Sequence, residues 1–136
     1  MRHAIAMLAL LVASTASADV APHYRPWLTV NAQVISLGTD APREQRNRAA
    51  LGAQRSAHSF VGRIERCLQD HGGAAEGPVS ARLEYDRAIL PSRTRVIEGR
   101  GALRACVAEV LPSIALDEVP HGRIVIEVTV DRGRWR

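Results

Sequence analysis

The two cysteines of the chain, Cys67 and Cys106, are the residues with the most definite predicted chemistry. In an oxidising compartment, a pair of cysteines in a small domain most simply forms one disulfide, and closing a loop of about 40 residues removes about 4 kcal/mol of unfolded-chain entropy. Free thiols and a metal site are the alternatives. His71 follows Cys67 by one helical turn, but two ligands are too few for a metal. We predict a Cys67–Cys106 disulfide, with no metal and no other cofactor.

No other group of residues has the spacing of a catalytic site. The chain lacks Cys-x-x-Cys and Gly-x-Ser-x-Gly motifs. Gly99-x-Gly101 before a helix could offer backbone amides to an anion, but a third glycine and a following Lys or Ser are missing, so a simple loop is favoured. We interpret Asp117 and Glu118 as solvated loop charges. We therefore predict that the protein is not an enzyme.

Arginine is the main positive feature, because all 18 basic residues are Arg and the formal net charge is +4. One side of a predicted helix carries four of them, which we call the helix arginines: Arg48, Arg55, Arg63 and Arg66. The C-terminus forms a cationic aromatic tail of Arg132, Arg134, Trp135 and Arg136. Both groups could contact acidic lipid, glycan or protein surfaces, although a solvated helix face and a frayed terminus are simpler interpretations. Nucleic acid is a poor partner for an exported protein of this modest charge.

The first 18 residues have the pattern of a secretory signal peptide. A short basic start, Met1-Arg2-His3, precedes an apolar run at residues 4–13 and the small-x-small ending Ala16-Ser17-Ala18. We expect cleavage between Ala18 and Asp19 and export to the periplasm or out of the cell. A short buried helix and an uncleaved anchor are the alternatives, but the run is shorter than the roughly 20 residues of a membrane span.

The composition is that of one ordinary globular domain. A chain of 136 residues allows one domain rather than two, and 46% hydrophobic with 24% charged residues excludes a disordered chain. Aromatic residues are only 4%, so the core must be built from aliphatic side chains. These values exclude a multidomain enzyme and a polytopic membrane protein.

Hydrophobic periodicity predicts the order strand–helix–strand–strand–helix–strand. After an extended leader at 19–26, the elements are a β-prone segment at 27–37, one amphipathic helix at about 42–70, a hairpin at 79–86 and 93–98, a short helix ended by Pro112, and a strand at 124–130. Asp40 is the expected N-cap of the long helix, in which Gly52 and Gly62 lie off the apolar stripe. The predicted core residues are Ile64, Val79, Leu83, Val107, Val110, Ile126 and Val128.

From Val61 onward the motifs follow a definite order. Ile64-x-x-Cys67 precedes Gly77-x-Val79 and a hairpin, and then come Leu103-x-x-Cys106-Val107-x-x-x-Leu111 and a final alternating strand introduced by Gly122. In this order they resemble the AgmX/PglI-type C-terminal domain, a TonB-like family of envelope proteins, over residues 61–131. The resemblance implies a small α+β module that binds other envelope proteins, and it implies no catalytic residues.

These observations predict an α+β fold, in which a small antiparallel sheet of three to four strands carries two helices on one face, as in TonB C-terminal domains. The expected organisation is a signal peptide at 1–18, the leader at 19–26, a strand and half-helix at 27–60, the core at 61–131 and a basic tail at 132–136.

The expected function is protein–protein interaction in the cell envelope by a non-catalytic, disulfide-stabilised module. Its contact surface would be an exposed sheet edge or the helix arginines. The alternative is binding of anionic lipid or glycan surfaces through the helix arginines and the C-terminal tail.

Overall fold

Eight secondary-structure elements make up the described part of the computed structural model, which covers residues 28–38, 42–72 and 77–132. In chain order they are β1 (Leu28–Leu37), α1 (Arg43–Ser59), α2 (Val61–Asp70), β2 (Val79–Asp86), β3 (Arg93–Glu98), α3 (Gly101–Val110), a 3-10 turn (Leu111–Ser113) and β4 (Arg123–Arg132). The expected signal peptide with its Ala18–Asp19 junction, the leader, the Asp40 cap and the tail residues Arg134, Trp135 and Arg136 lie outside the described residues.

The strands form one antiparallel sheet in the order β1-β4-β2-β3, which confirms the predicted α+β class. β4 is a central strand, because it pairs with β1 on one side and with β2 on the other. Its even-numbered residues from Ile124 to Val130 alternate strictly and are all buried on one face. Ile126 lies between Val34 of β1 and Leu83 of β2. The apolar alternation seen in the sequence therefore forms one continuous layer.

Three helices cover that apolar face, where the sequence predicted two. α1 packs on β1, whereas α2 and α3 pack against each other. The predicted core residues Ile64, Val79, Leu83, Val107, Val110, Ile126 and Val128 are each at most 2% exposed. The opposite face of the sheet, which we call the open face, carries mainly polar and charged side chains.

The predicted long helix is interrupted at Phe60, which separates α1 from α2. Ser59 and Gly62, on either side of the interruption, are weak helix formers. The Ser59 hydroxyl donates a hydrogen bond of 2.5 Å to the carbonyl oxygen of Ser56, which competes with the helical backbone pattern. The turn lets α1 follow β1 while α2 packs against α3. At the other end, α1 begins at Arg43 with Pro42 in the cap position and no side-chain cap.

α1 packs closely because its buried side is made of small residues, Ala49, Ala53 and Ala57. Gly52 belongs to this side and is buried, so the expectation that it lies off the apolar stripe is wrong. A Cβ at Gly52 would lie 3.1 Å from the backbone nitrogen of Asp117. The segment before β4 therefore crosses α1 at Gly52, where the absence of a side chain leaves it room.

Candidate functional site

Cys67 and Cys106 form a disulfide that joins α2 to α3, with 5.7 Å between their Cα atoms. Cys106 is 1% exposed and Cys67 is half-buried. Each cysteine lies on the core-facing side of its helix, so packing the two helices side by side brings the sulfurs together. The predicted disulfide is confirmed, and the described residues contain no free thiol.

His71 completes a group with these two cysteines, since the ligand atoms of all three residues lie within 4.8 Å of one another. The sequence identified only Cys67 and His71 as neighbours, because Cys106 lies on another helix. Metal binding by cysteine requires thiolates. With the sulfurs joined to each other, this group is a disulfide beside an exposed imidazole.

The four helix arginines do not form one free face. The Arg48 Nε lies 3.3 Å from the Glu118 Oε1, and the Arg55 Nη2 lies 2.6 Å from the Asp117 Oδ2. Asp117 and Glu118, interpreted as solvated charges, are thus exposed ion-pair partners. Such exposed pairs contribute about 0–1 kcal/mol each.

Arg63 and Arg66 on α2 are the remaining helix arginines. Both are exposed, and neither makes an ion pair with a described residue. Between them, partial burial raises the pKa of the Glu65 carboxyl. Arg132 is exposed at the end of β4. Among the described residues, the predicted basic surface is therefore reduced to these separate positions, and its role in binding stays a prediction.

The Gly99-x-Gly101 segment is a packed loop. Gly99 has φ 122°, and a Cβ there would lie 2.7 Å from the Val79 Cγ2. Its carbonyl oxygen accepts a hydrogen bond from the Arg104 Nη1 at 3.0 Å. Close approach of the loop to β2 explains this glycine without an anion.

The open face carries a group of arginines that the sequence analysis did not bring together. We call Arg82, Arg93 and Arg95 the sheet arginines. Arg82 lies directly opposite Arg95 in the β2–β3 register, and Arg93 lies directly opposite Glu84. β-Strand alternation sends all three side chains to one face, but only the strand register shows that they are neighbours.

The acidic residues near the sheet arginines are already engaged. The Glu84 Oε1 forms a close ion pair with the Arg123 Nη2, and the Glu84 Oε2 lies 3.6 Å from the Arg93 Nε. The Arg82 Nε is 3.9 Å from the Glu127 Oε2. Arg95, by contrast, makes no ion pair with any residue that the structure describes. The local surface therefore has more positive than negative charge.

A cavity of about 330 Å³ lies on the open face beside these residues. Its lining consists of Ile35, Ser36, Arg82, Glu84, Arg93, Arg95 and Val125. Ile35 is the extra residue where the β1–β4 register shifts, and it is 37% exposed. With Val125 it adds an apolar part to an otherwise polar and charged cavity. This combination of apolar and charged walls can bind a group that has both characters.

A larger and more open cavity, of about 780 Å³, lies at one end of the sheet. It is lined by Pro42, Arg87, Val119, Pro120, His121 and Gly122. The backbone N–H of His121 donates to the Gln45 Oε1 at 3.1 Å, and Gln45 is 3% exposed. Gln45 thus holds the cavity wall in place, and the ionisable groups among the described lining residues are Arg87 and His121.

No helix in the described ranges is both long and apolar enough to cross a membrane. The chain matches no model of a protein family, no curated protein and no solved structure. Function must therefore be inferred from the residues of this chain.

Proposed function

We propose that the protein is an exported, non-catalytic module that binds another protein of the cell envelope. The observation that carries this proposal is the sheet itself, because the helices cover one of its faces and the other bears a charged cavity. Disulfides persist mainly in oxidising compartments, so the Cys67–Cys106 bond supports export, as does the signal-peptide pattern. The resemblance to AgmX/PglI-type domains over residues 61–131 supports the same role.

The edges of the sheet offer a second contact surface. Within the described residues β1 pairs only with β4, and β3 pairs only with β2. An edge strand presents unpaired backbone groups to which a partner strand can add. β1 is the longer edge at 10 residues, and β3, at 6 residues, begins and ends with a charged residue. A partner could therefore bind through the open face, through β1 or through both.

The test is crosslinking in the native envelope. A photo-reactive amino acid is placed singly at Gln33 on the edge strand β1, at Arg95 on the edge strand β3, and at Arg63 on α2 as the control. We expect one reproducible protein partner at Gln33 or Arg95, surviving a high-salt wash, and no such partner at Arg63. Reduced cysteines in a cytoplasmic protein, or equal capture at all three positions, would contradict the proposal.

A second candidate function is binding of anionic lipid or glycan through Arg63, Arg66 and the C-terminal tail. It is favoured by the exposure of both arginines without an ion pair to a described residue. Such binding should be lost at a few hundred millimolar salt, where the screening length falls to a few ångströms. Co-sedimentation with phosphatidylglycerol vesicles, compared between the parent and an R63Q/R66Q variant, tests this function; equal binding by both proteins would exclude these arginines.

A further inference from the structure

We propose that the sheet arginines Arg82, Arg93 and Arg95 form a docking site for an acidic, extended segment of the partner protein. The inference rests on the proposed function, since it names the chemistry of the partner that the module would bind. The open-face cavity is the place where the carboxylates of that segment would bind.

The first argument is the opposition of two like charges. Arg82 and Arg95 are direct cross-strand partners. Side chains in such positions have Cβ atoms about 4.5–5.5 Å apart, and like charges there are destabilising. Arg82 has an ion-pair partner only at 3.9 Å, the Glu127 carboxylate, and Arg95 makes no ion pair within the described part of the chain. A carboxylate placed between the two guanidinium groups would replace repulsion by charge-assisted hydrogen bonds.

The spacing of the arginines favours an extended chain. Arg93 and Arg95 are two residues apart on β3, so their side chains emerge from the same face about 6.6–6.8 Å apart along the strand. Two acidic residues in the pattern Glu-x-Glu have the same separation in an extended segment. The partner segment could therefore present its carboxylates to Arg93 and Arg95 in register.

The acidic neighbours narrow the choice of anion. Glu84 and Glu127 lie at the same surface with side chains only 22% exposed, and they offset part of the positive charge. A dense polyanion would meet these carboxylates as well as the arginines. A segment with a few separated carboxylates avoids them, which favours an acidic peptide over an anionic membrane.

The apolar part of the cavity adds a second requirement. Val125 and the half-exposed Ile35 lie in the same cavity as the arginines. They can cover one apolar side chain of the partner, which would remove apolar surface from water. The segment we infer is therefore acidic and extended, with an aliphatic residue next to its carboxylates.

The probe is an acetylated, amidated octapeptide with the central sequence Glu-Val-Glu, titrated into ¹⁵N-labelled protein with its disulfide intact. The matched probe has Gln in place of both Glu residues. We expect amide shifts concentrated in β2 and β3 with the Glu peptide, and at least tenfold weaker binding of the Gln peptide. Equal binding of the two peptides, or shifts confined to α2, would overturn the site.

Arg95→Glu and the control Arg63→Glu, which changes the net charge by the same amount, separate a binding role from a structural one. Arg95→Glu removes the like-charge pair, so we expect at least tenfold weaker binding of the Glu peptide together with a higher Tm of the free protein. Arg63→Glu should change affinity less than twofold. Similar losses in both variants would show that net charge alone attracts the peptide. A lowered Tm in Arg95→Glu would show that Arg95 supports the fold rather than a ligand.

Two further outcomes separate this inference from the function on which it rests. If the Glu peptide fails to bind while envelope crosslinking at Gln33 still captures a protein, the module binds through β1 and the sheet arginines are not its site. If the protein instead binds phosphatidylglycerol vesicles in a way that depends on Arg95, the anion comes from lipid and the peptide assignment is wrong.

Discussion

The hydroxyl of Tyr85 in β2 donates a 2.7 Å hydrogen bond to the carbonyl oxygen of Ile114, which follows the 3-10 turn. Both residues are at most 1% exposed. The bond fastens the segment between α3 and β4 to the centre of the sheet. Burial also raises the pKa of the Tyr85 hydroxyl above its ordinary value near 10.

Tyr85→Phe should destabilise the protein by about 1–3 kcal/mol, because the Ile114 carbonyl oxygen loses its buried donor. Above about pH 10 the unfolded tyrosine releases its proton while the folded one keeps it. The folded state then binds more protons than the unfolded state, so this contribution to stability falls as pH rises. Urea denaturation of both proteins at neutral and alkaline pH measures the effect. If the difference in free energy of unfolding between the parent and Tyr85→Phe proteins does not decrease at high pH, the buried Tyr85 hydroxyl is not its source.

Loss of the Cys67–Cys106 bond should lower the free energy of unfolding by about 2–5 kcal/mol. A Cys67→Ala/Cys106→Ala variant and the wild-type protein under a dithiol reductant should lose similar amounts. Urea denaturation curves with and without reductant provide the measurement. The variant itself is the control, since reductant should leave its curve unchanged; a wild-type curve equally insensitive to reductant would mean that the cysteines are not paired.

Gly52→Ala should destabilise the protein, against the usual preference of helices for Ala by about 1 kcal/mol. The new Cβ would lie 3.1 Å from the backbone nitrogen of Asp117. Gly62→Ala is the matched control, because a Cβ there meets nothing within 4 Å and should stabilise α2. Thermal unfolding should move in opposite directions for the two variants. A higher Tm for Gly52→Ala would mean that the segment around Asp117 moves away from the new Cβ at little cost in stability.

Two neighbouring residues of α1, Arg55 and Ser56, should contribute different amounts to stability through their contacts with the segment before β4. Arg55→Gln removes an exposed ion pair to Asp117 and should cost less than about 1 kcal/mol. Ser56→Ala removes the acceptor of the Ala115 backbone N–H, a part-buried bond of 2.8 Å, and should cost about 1–3 kcal/mol. Urea denaturation of the two variants ranks these costs. The reverse order would show that charge, rather than the buried bond, holds this segment on α1.

The local patterns in the sequence were sufficient to predict the layers of the fold. In β2 and β4, alternation identified the buried apolar residues correctly from Val79 to Tyr85 and from Ile124 to Val130, but it did not predict that Ser80 is also buried. The apolar stripes of the helices placed Cys67 and Cys106 on core-facing sides, and the structure joins them. These features were predictable because burial of one strand face or one helix stripe follows from residues two to four positions apart.

Tertiary structure decided which distant residues meet. The strand order β1-β4-β2-β3 and its register place Arg82 opposite Arg95, and packing of α1 on the segment before β4 buries Gly52 and pairs Arg55 with Asp117. The interruption at Phe60 likewise follows from two helix halves that pack on different neighbours. Periodicity along the chain reports the face on which a side chain lies, but strand register and helix contacts depend on the packing of the whole core.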